Sequence, residues 1–273
     1  MNKSIDEVEF TIFDTETTGL DPSSGDRIVE IAGIRFRGRD KIADFQTLVN
    51  PHRHISSAAF EVNKITQGML ESAPETAQVL PKFMDFVKDS CLCSYNSAFD
   101  MQFLNNELRL AGQAFPPANA VADILKMARR ILPGLERYSL WFVASKLGIK
   151  SGQKHRAFSD VELTLGVFNR LKEMMAAKGI TDFTSFLGLF GMNPRLLEDI
   201  NNQKLAKIQE AMGLGVKLKI KYISSSSAAV SERDIIPKEI RQDKDKSYLV
   251  GYCCLRNEER TFRIDGILHI EVV

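Results

Sequence analysis

Two carboxylates one residue apart, Asp14 and Glu16, close the apolar run Val8–Phe13 in the stretch VEFTIFDTETTGL. In a strand the side-chain period is two, so both point to one face. Like charges so close repel unless a cation lies between them or water screens them. A bound divalent cation and a solvated strand end are both open readings of this stretch alone. Asp100 follows a short apolar run in CSYNSAFDMQFL, where Ser97 and Asp100 also have the spacing of a helix capping box. His155 and Asp160 stand five apart in KHRAFSDVEL. Within one helix that spacing separates them by more than about 100° around the axis. They share a cleft only if His155 lies on the preceding loop, IKSGQKHRAFS, and Asp160 in the first helical turn. The competing reading is a surface histidine and an acid at a helix N-terminus. Asp123, in VADILKMAR, reads as a helix N-cap outside the chemistry. Together, Asp14, Glu16, Asp100 and Asp160 suit two hard cations. Cations roughly 3.5–4 Å apart can clamp both oxygens of a phosphoryl transfer. His155 is of the side-chain type that most often takes a proton from an attacking water.

The elements that must place these groups follow from periodicity and turn chemistry. Val8–Phe13, Ile28–Arg37 and Ile42–Val49 read as strands of an antiparallel meander, separated by LDPSSGD and GRD. Helical patterns follow at Thr66–Glu71, Thr76–Lys88, Ala98–Ala111, Asp123–Ile131, Ser139–Leu147 and Phe158–Ala177. Cys91–Tyr95 and Asn119–Asp123 read as short buried strands between them. The expectation is an α/β domain over residues 1–178, with a mixed sheet flanked by helices. Residues 179–202 read as a helical connector broken by glycines and Pro194. Residues 203–273 open on a helix and then read as a small all-β domain.

Bulk composition excludes little. The chain has 273 residues and a net charge of +1, so no global basic field marks a nucleic-acid partner. The cysteines fall as Cys91/Cys93 and Cys253/Cys254, without zinc-ribbon spacing. Reduced buried thiols in a cytoplasmic protein are expected. There is no apolar signal region and no apolar run of membrane-spanning length.

FDTETTGL, YNSAFD and HRAFSD, in that order, resemble the three motifs of the DEDDh exonucleases. That family has an RNase H-like fold and includes proofreading subunits of bacterial DNA polymerases. The resemblance runs from about Glu9 to Leu171 and takes in DILKMARRILPGLERYSL. It implies a 3′–5′ exonuclease using two divalent cations, Mg2+ or Mn2+. Asp14, Glu16 and Asp160 would hold the metal on the nucleophile side, and Asp14 would bridge to the second. Asp100 would complete the set partly through water, with His155 as general base. Thr15, Thr17, Leu20 and Asn96 would contact the 3′-terminal nucleotide. Family frequency favours single-stranded DNA, with RNA also compatible. Tyr95-Asn96 and Asn63-Lys64 stand where many relatives carry His-Asn and His-Gly.

From Lys204 onward there are 13 Lys/Arg against 10 Asp/Glu, a local charge of +3. Arg256, Arg260 and Arg263 cluster around two strand-like runs. They suit an anionic ligand, or a solvated sheet edge charged against aggregation. Tyr222, Arg233–Pro237, Tyr248-Leu249 and RTFRID resemble a WYL domain, which implies a small SH3-like barrel. Ser247 replaces the name-giving tryptophan, and Gly266 stands where an arginine is often found. Tyr248, Arg256, Arg260 and Arg263 are the ligand candidates. Two other functions fit the sequence: a non-catalytic nucleic-acid-binding regulator, and a polymerase proofreading subunit.

Overall fold

In the computed structural model, which describes residues 3–117, 119–150, 155–244 and 246–273, the first strand divides its side chains between two cores. β1 (Glu9–Thr17) sends Phe10 and Ile12 to one sheet face and Phe13 to the other. β2 (Ile28–Arg37) and β3 (Asp40–Leu48) continue from it as the expected antiparallel meander. β4 (Cys91–Ser94) and β5 (Val121–Asp123) add parallel pairings, giving the order β3-β2-β1-β4-β5. The parallel pairings require crossovers, which helices supply.

α1 (Ser57–Asn63), α2 (Gln67–Glu71), α3 (Thr76–Phe86) and α4 (Ser97–Leu110) lie between the meander and β5. α3 and α4 cover the Phe13 face. α5 (Ile124–Ile131), α6 (Leu140–Lys146), α7 (Ala157–Ala177) and α8 (Phe183–Phe190) cover the Phe10 face. Phe10 packs there between Phe168 and Phe186, at centroid distances of 5.2 and 5.4 Å. Such aromatic contacts add about 0.5–1.5 kcal/mol each beyond burial. They pin α7, and with it Asp160, against β1.

α9 (Pro194–Leu214) leads into β6 (Leu218–Ile223), β7 (Val230–Asp243), β8 (Lys246–Cys253), β9 (Glu258–Arg263) and β10 (Ile267–Val272). These form a second sheet, wholly antiparallel, in the order β10-β6-β7-β8-β9. Among the described residues its end strands, β9 and β10, do not pair, so the expected closed barrel is an open sheet. Ile208 and Ala211 of α9 are buried in its core beside Leu218, Ile235 and Leu249. The helix closes the face that further strand pairing would otherwise close.

Other sequence expectations are also corrected. β1 does not end at Phe13 but runs through both acids, because β2 pairs with it as far as Thr17. α1 falls in a stretch to which the sequence reading assigned no helix; Ser56 caps it by accepting the Ala59 N–H. Gly188 lies inside α8 rather than breaking it. α9 starts at Pro194, with Asn193 as N-cap, and runs unbroken for 21 residues. Proline at the first helical position gives up an N–H that would be unpaired anyway. Among the described residues no helix is long and apolar enough to cross a membrane.

Candidate active site

Strand period sets the site. Asp14 and Glu16 share the side of β1 that carries Phe10 and Ile12, and α7 packs on that side. Asp160 arrives from the first turn of α7. One carboxylate oxygen from each of Asp14, Glu16 and Asp160 lies within 4.8 Å of the other two. The β1–β2 ladder shifts register between Glu16 and Thr17, a bulge that ends regular pairing just past the acids.

Thr15 points the other way. Its N–H and hydroxyl donate to Asp100 Oδ1 at 3.0 and 2.8 Å, and Ser94 Oγ donates to Oδ2 at 2.7 Å. Asp100 is therefore buried and hydrogen-bonded beside the three-carboxylate group, outside its 4.8 Å circle. The capping-box alternative fails. Asn96 is the N-cap of α4, in a left-handed conformation and without a side-chain cap bond. Ser97 Oγ instead accepts from Ser94 N and donates to the Ala122 carbonyl. Asp123 caps α5, accepting from the Leu125 and Lys126 N–H groups, as expected.

The acids are under electrostatic load. Burial raises the Asp14 carboxyl well above its ordinary range, and Asp100, Glu16 and Asp160 raise it further. Burial, then the charges of Asp160 and Glu30, push Glu16 up to about 8. Burial lifts Asp100 to about 6, with the Ser94 and Thr15 hydrogen bonds holding it down. Asp160 is raised by burial and eased by His155 and Trp141, whose side chain hydrogen-bonds to it. Asp160 Oδ1 is buried with no hydrogen-bond partner. Three converging carboxylates with raised pKa values and an orphaned buried oxygen fit a hard divalent cation.

His155 lies on the loop and Asp160 in the helix, the arrangement that lets both serve one cleft. Residues 151–154 of that loop lie outside the described residues. His155 is exposed, with φ 57°, and its backbone N–H donates to the Asp160 carboxylate. The turn is thus tied to the acid it serves. Its base is fixed by Glu30, a buried acid of β2 opposite Glu16 in the ladder. Glu30 accepts from Arg156 Nε and Nη2 at 3.1 and 2.9 Å and from the Ala157 N–H at 3.2 Å.

Beside the acids lies a cleft of about 580 Å³ between the β1 end and α1. Thr17, Leu20, Val62 and Phe99 help to line it. Leu20 is an apolar side chain left 82% exposed at this cleft. Asn63 holds the floor: its Nδ2 donates to the Thr17 carbonyl at 3.3 Å, and its Oδ1 accepts the Ile65 N–H. Asn96 stays exposed at the start of α4.

The C-terminal candidates do not converge. Tyr248 and Arg263 are register partners across β8 and β9. Arg256 sits in the exposed turn between those strands, and Arg260 is exposed 3.5 Å from Glu258. Strand period puts Arg260 on the opposite parity to Arg263. Gly266 explains one departure from the WYL pattern. A Cβ there would lie 2.8 Å from the Tyr222 ring and 3.2 Å from Arg130 Nη2, so a guanidinium from α5 fills space beside this position.

Sequence reasoning missed Glu30, Arg156 and Trp141. Glu30 carried a signal, a lone acid inside IVEIAGI. Trp141 carried none. Asn63 stands out in the sequence only as a departure from the family's His-Gly pair; its hold on Thr17, 46 positions away, is visible only in the fold.

The chain matches the exonuclease family model over residues 11–168 and the WYL domain model over residues 203–272. It belongs to the exonuclease family and carries a WYL domain at its C-terminal end. It is 36% identical over 201 residues to a DNA polymerase III subunit epsilon-like protein of Rhodobacter capsulatus, covering 72% of this chain and 28% of that protein. It is 36% identical over 263 residues to a PolC-type DNA polymerase III of Thermotoga maritima, covering 94% of this chain and 18% of that protein. The chain thus spans less than a third of the length of these curated relatives. Solved structures share the fold. The nuclease domain of 3'hExo, a DEDDh family member bound to rAMP, has a TM-score of 0.53 at 22% identity, covering 64% of this chain and 94% of that one. A zinc-bound E. coli ExoI–ssDNA complex has a TM-score of 0.58 at 17% identity, covering 89% of this chain and 54% of that one.

Proposed function

We propose that this chain is a metal-dependent 3′–5′ exonuclease that releases 5′-monophosphates from the 3′ end of single-stranded DNA. The convergence of Asp14, Glu16 and Asp160 on one point, with Asp160 Oδ1 unpartnered, carries this reading. These three residues would hold a divalent cation, and Asp14 with Asp100 would serve a second, the latter through water. Bound Mg2+ or Mn2+ would offset the carboxylate charge and polarise the phosphoryl oxygens.

The chain's own residues do the rest. His155 takes the proton of the attacking water on its imidazole, held over the site by the bond between its backbone and Asp160. The Thr15–Thr17 backbone and the cleft orient the 3′-terminal nucleotide, with Leu20 against its base and Asn96 at the mouth. The WYL domain adds positive charge that suits a nucleic acid or another anionic ligand, with Tyr248 and Arg263 as its paired candidates. The buried thiols Cys91, Cys93 and Cys253 suit the cytoplasm.

A time course on 3′-labelled and 5′-labelled DNA and RNA, single- and double-stranded, with and without Mn2+, tests activity, polarity and substrate together. Asp14→Ala should abolish degradation. If it degrades a 3′-labelled oligonucleotide as fast as wild type in Mg2+, the assignment fails. Proofreading within a replicase is a second reading, favoured by the DNA polymerase III names of the relatives. Co-purification with a polymerase would support it. A non-catalytic DNA-binding regulator would instead bind DNA without metal-dependent cleavage.

A further inference from the structure

Where α5 meets the WYL domain, a cavity of about 230 Å³ is lined by four cationic side chains and one carboxylate. Lys126, Arg129 and Arg130 come from α5 of the exonuclease domain. Arg263 and Asp265 come from the end of β9 and the turn after it, and Ser225 adds a hydroxyl. We propose that this junction is a phosphate-binding site, built jointly by the two domains, for a phosphate group of a nucleotide or nucleic-acid strand.

The donors are in surplus. Asp265 is engaged by Arg263 through both of its oxygens. That leaves three cations without a carboxylate in the cavity. Arg130 spends Nη2 on the Ile223 carbonyl at 3.1 Å, while its buried Nε has no partner at all. Guanidinium has five N–H donors and no acceptor, so only an acceptor from outside can satisfy it. Lys126 gives one hydrogen bond to the Gly191 carbonyl at 3.2 Å, and an ammonium has two more to give. Burial holds Lys126 and Arg130 below their ordinary pKa values; the Asp265 carboxylate offsets part of that, and Arg263 works against the offset. An entering anion would add to what Asp265 supplies. A planar fork beside a point charge matches phosphate oxygens well.

The site also has a fixed relation to the acids. Asp123, one helical turn before Lys126, pairs in register with Ser94, and Ser94 Oγ donates to Asp100. The cavity draws on neither Asp14, Glu16 nor Asp160, and so does not depend on the nuclease reading.

The test uses the full chain in EDTA, titrated with inorganic phosphate, dAMP and a short oligothymidylate, with binding read by calorimetry. Wild type should bind at least one of the three probes. Arg130→Gln and, separately, Lys126→Gln should each weaken that binding about tenfold or more, while Arg39→Gln, on the exposed β2–β3 turn, should leave it unchanged. Circular dichroism and the melting midpoint establish that each variant is folded, and the two cavity variants back each other up. Loss of dAMP affinity with the oligonucleotide unaffected assigns a free mononucleotide. Loss of oligonucleotide affinity and of its salt dependence assigns a strand phosphate. No binding by wild type, or binding equal in wild type and both cavity variants, overturns the proposal. Nuclease assays of the same variants in Mn2+ report on the acidic site separately.

Discussion

Glu30 and Arg156, 126 positions apart, form a two-bond carboxylate–guanidinium pair between β2 and the first residue before α7. Glu30 is 1% exposed, and Gln46 and the Ala157 N–H share its oxygens. The pair fixes where α7 begins, and so where His155 and Asp160 sit. Removing one member of a buried pair leaves the other uncompensated. Arg156→Gln strands the Glu30 carboxylate and should cost about 3 kcal/mol. Glu30→Gln leaves the half-exposed Arg156 able to reach water and should cost less. The double variant should recover part of the loss. Denaturant unfolding of all four proteins checks the cycle; strictly additive losses would show that the pair is not coupled.

His155→Ala should lower kcat by roughly 10²- to 10⁴-fold, the usual contribution of a positioned general base. Its backbone bond to Asp160 persists in the variant, so the melting midpoint should hardly move. The kcat–pH profile separates the roles: the wild-type acid limb should vanish with the imidazole. A variant that keeps that limb would assign it to another group.

Asp14→Asn should abolish cleavage and yet stabilise the metal-free protein. Asp14 is held among Asp100, Glu16 and Asp160, and its neutral form is the favoured one in the fold. An amide removes the repulsion without a large change of shape. Adding Mn2+ should raise the melting midpoint of wild type, because a ligand that binds only the folded state stabilises it. The variant should respond little. Thermal scans in EDTA and in Mn2+ compare both.

Glu16 sets a pH dependence of definite sign. Its folded value, about 8, lies above its ordinary 4.5. The folded state therefore binds more protons than the unfolded state between these values, and stability falls as pH rises through them. Metal-free protein should be most stable below about pH 4.5 as far as this group is concerned, and should have lost the contribution once pH passes about 8. Asp14 adds to the same trend. Mn2+ should flatten the curve, and its affinity should rise over the same interval, because binding requires the ionised carboxylates. A metal-free melting midpoint that climbs between pH 5 and 8 would show that other groups dominate.

Local chemistry made part of this molecule legible. The alternation of β1 put Asp14 and Glu16 on one face, and the loop before α7 separated His155 from Asp160. Those inferences need only neighbouring residues. The β1 boundary was misjudged because apolarity stops at Phe13, whereas backbone pairing with β2 runs on to Thr17. The Ser97–Asp100 spacing suggested a cap, but a tertiary partner 85 positions away, Thr15, claims the carboxylate. The second sheet stayed open because α9 covers it, a packing choice that strand periodicity does not encode. The α5 cations gave no sign of a junction, since the WYL-domain partner of Arg130, Ile223, lies 93 residues on.

Asn63 should prove to be a substrate-positioning residue acting through Thr17. Its side chain is 2% exposed and bridges the Thr17 carbonyl to the Ile65 N–H. Thr17 in turn donates to the Gly19 carbonyl at 2.5 Å, which sets the path of the chain towards Leu20. Asn63→Ala leaves a buried carbonyl and a buried N–H unpaired, at about 1–3 kcal/mol of stability. The loosened β1 end should then hold the terminal nucleotide less well. KM for a single-stranded oligonucleotide should rise several-fold, with kcat changed less, because the acids and His155 are held by other bonds. Asn63→Asp, which keeps the acceptor for Ile65 but not the donor for Thr17, should recover stability only in part and leave KM raised. Steady-state kinetics on both variants, beside their unfolding curves, decide the matter: a fall in kcat with KM unchanged would place Asn63 in support of the acids instead.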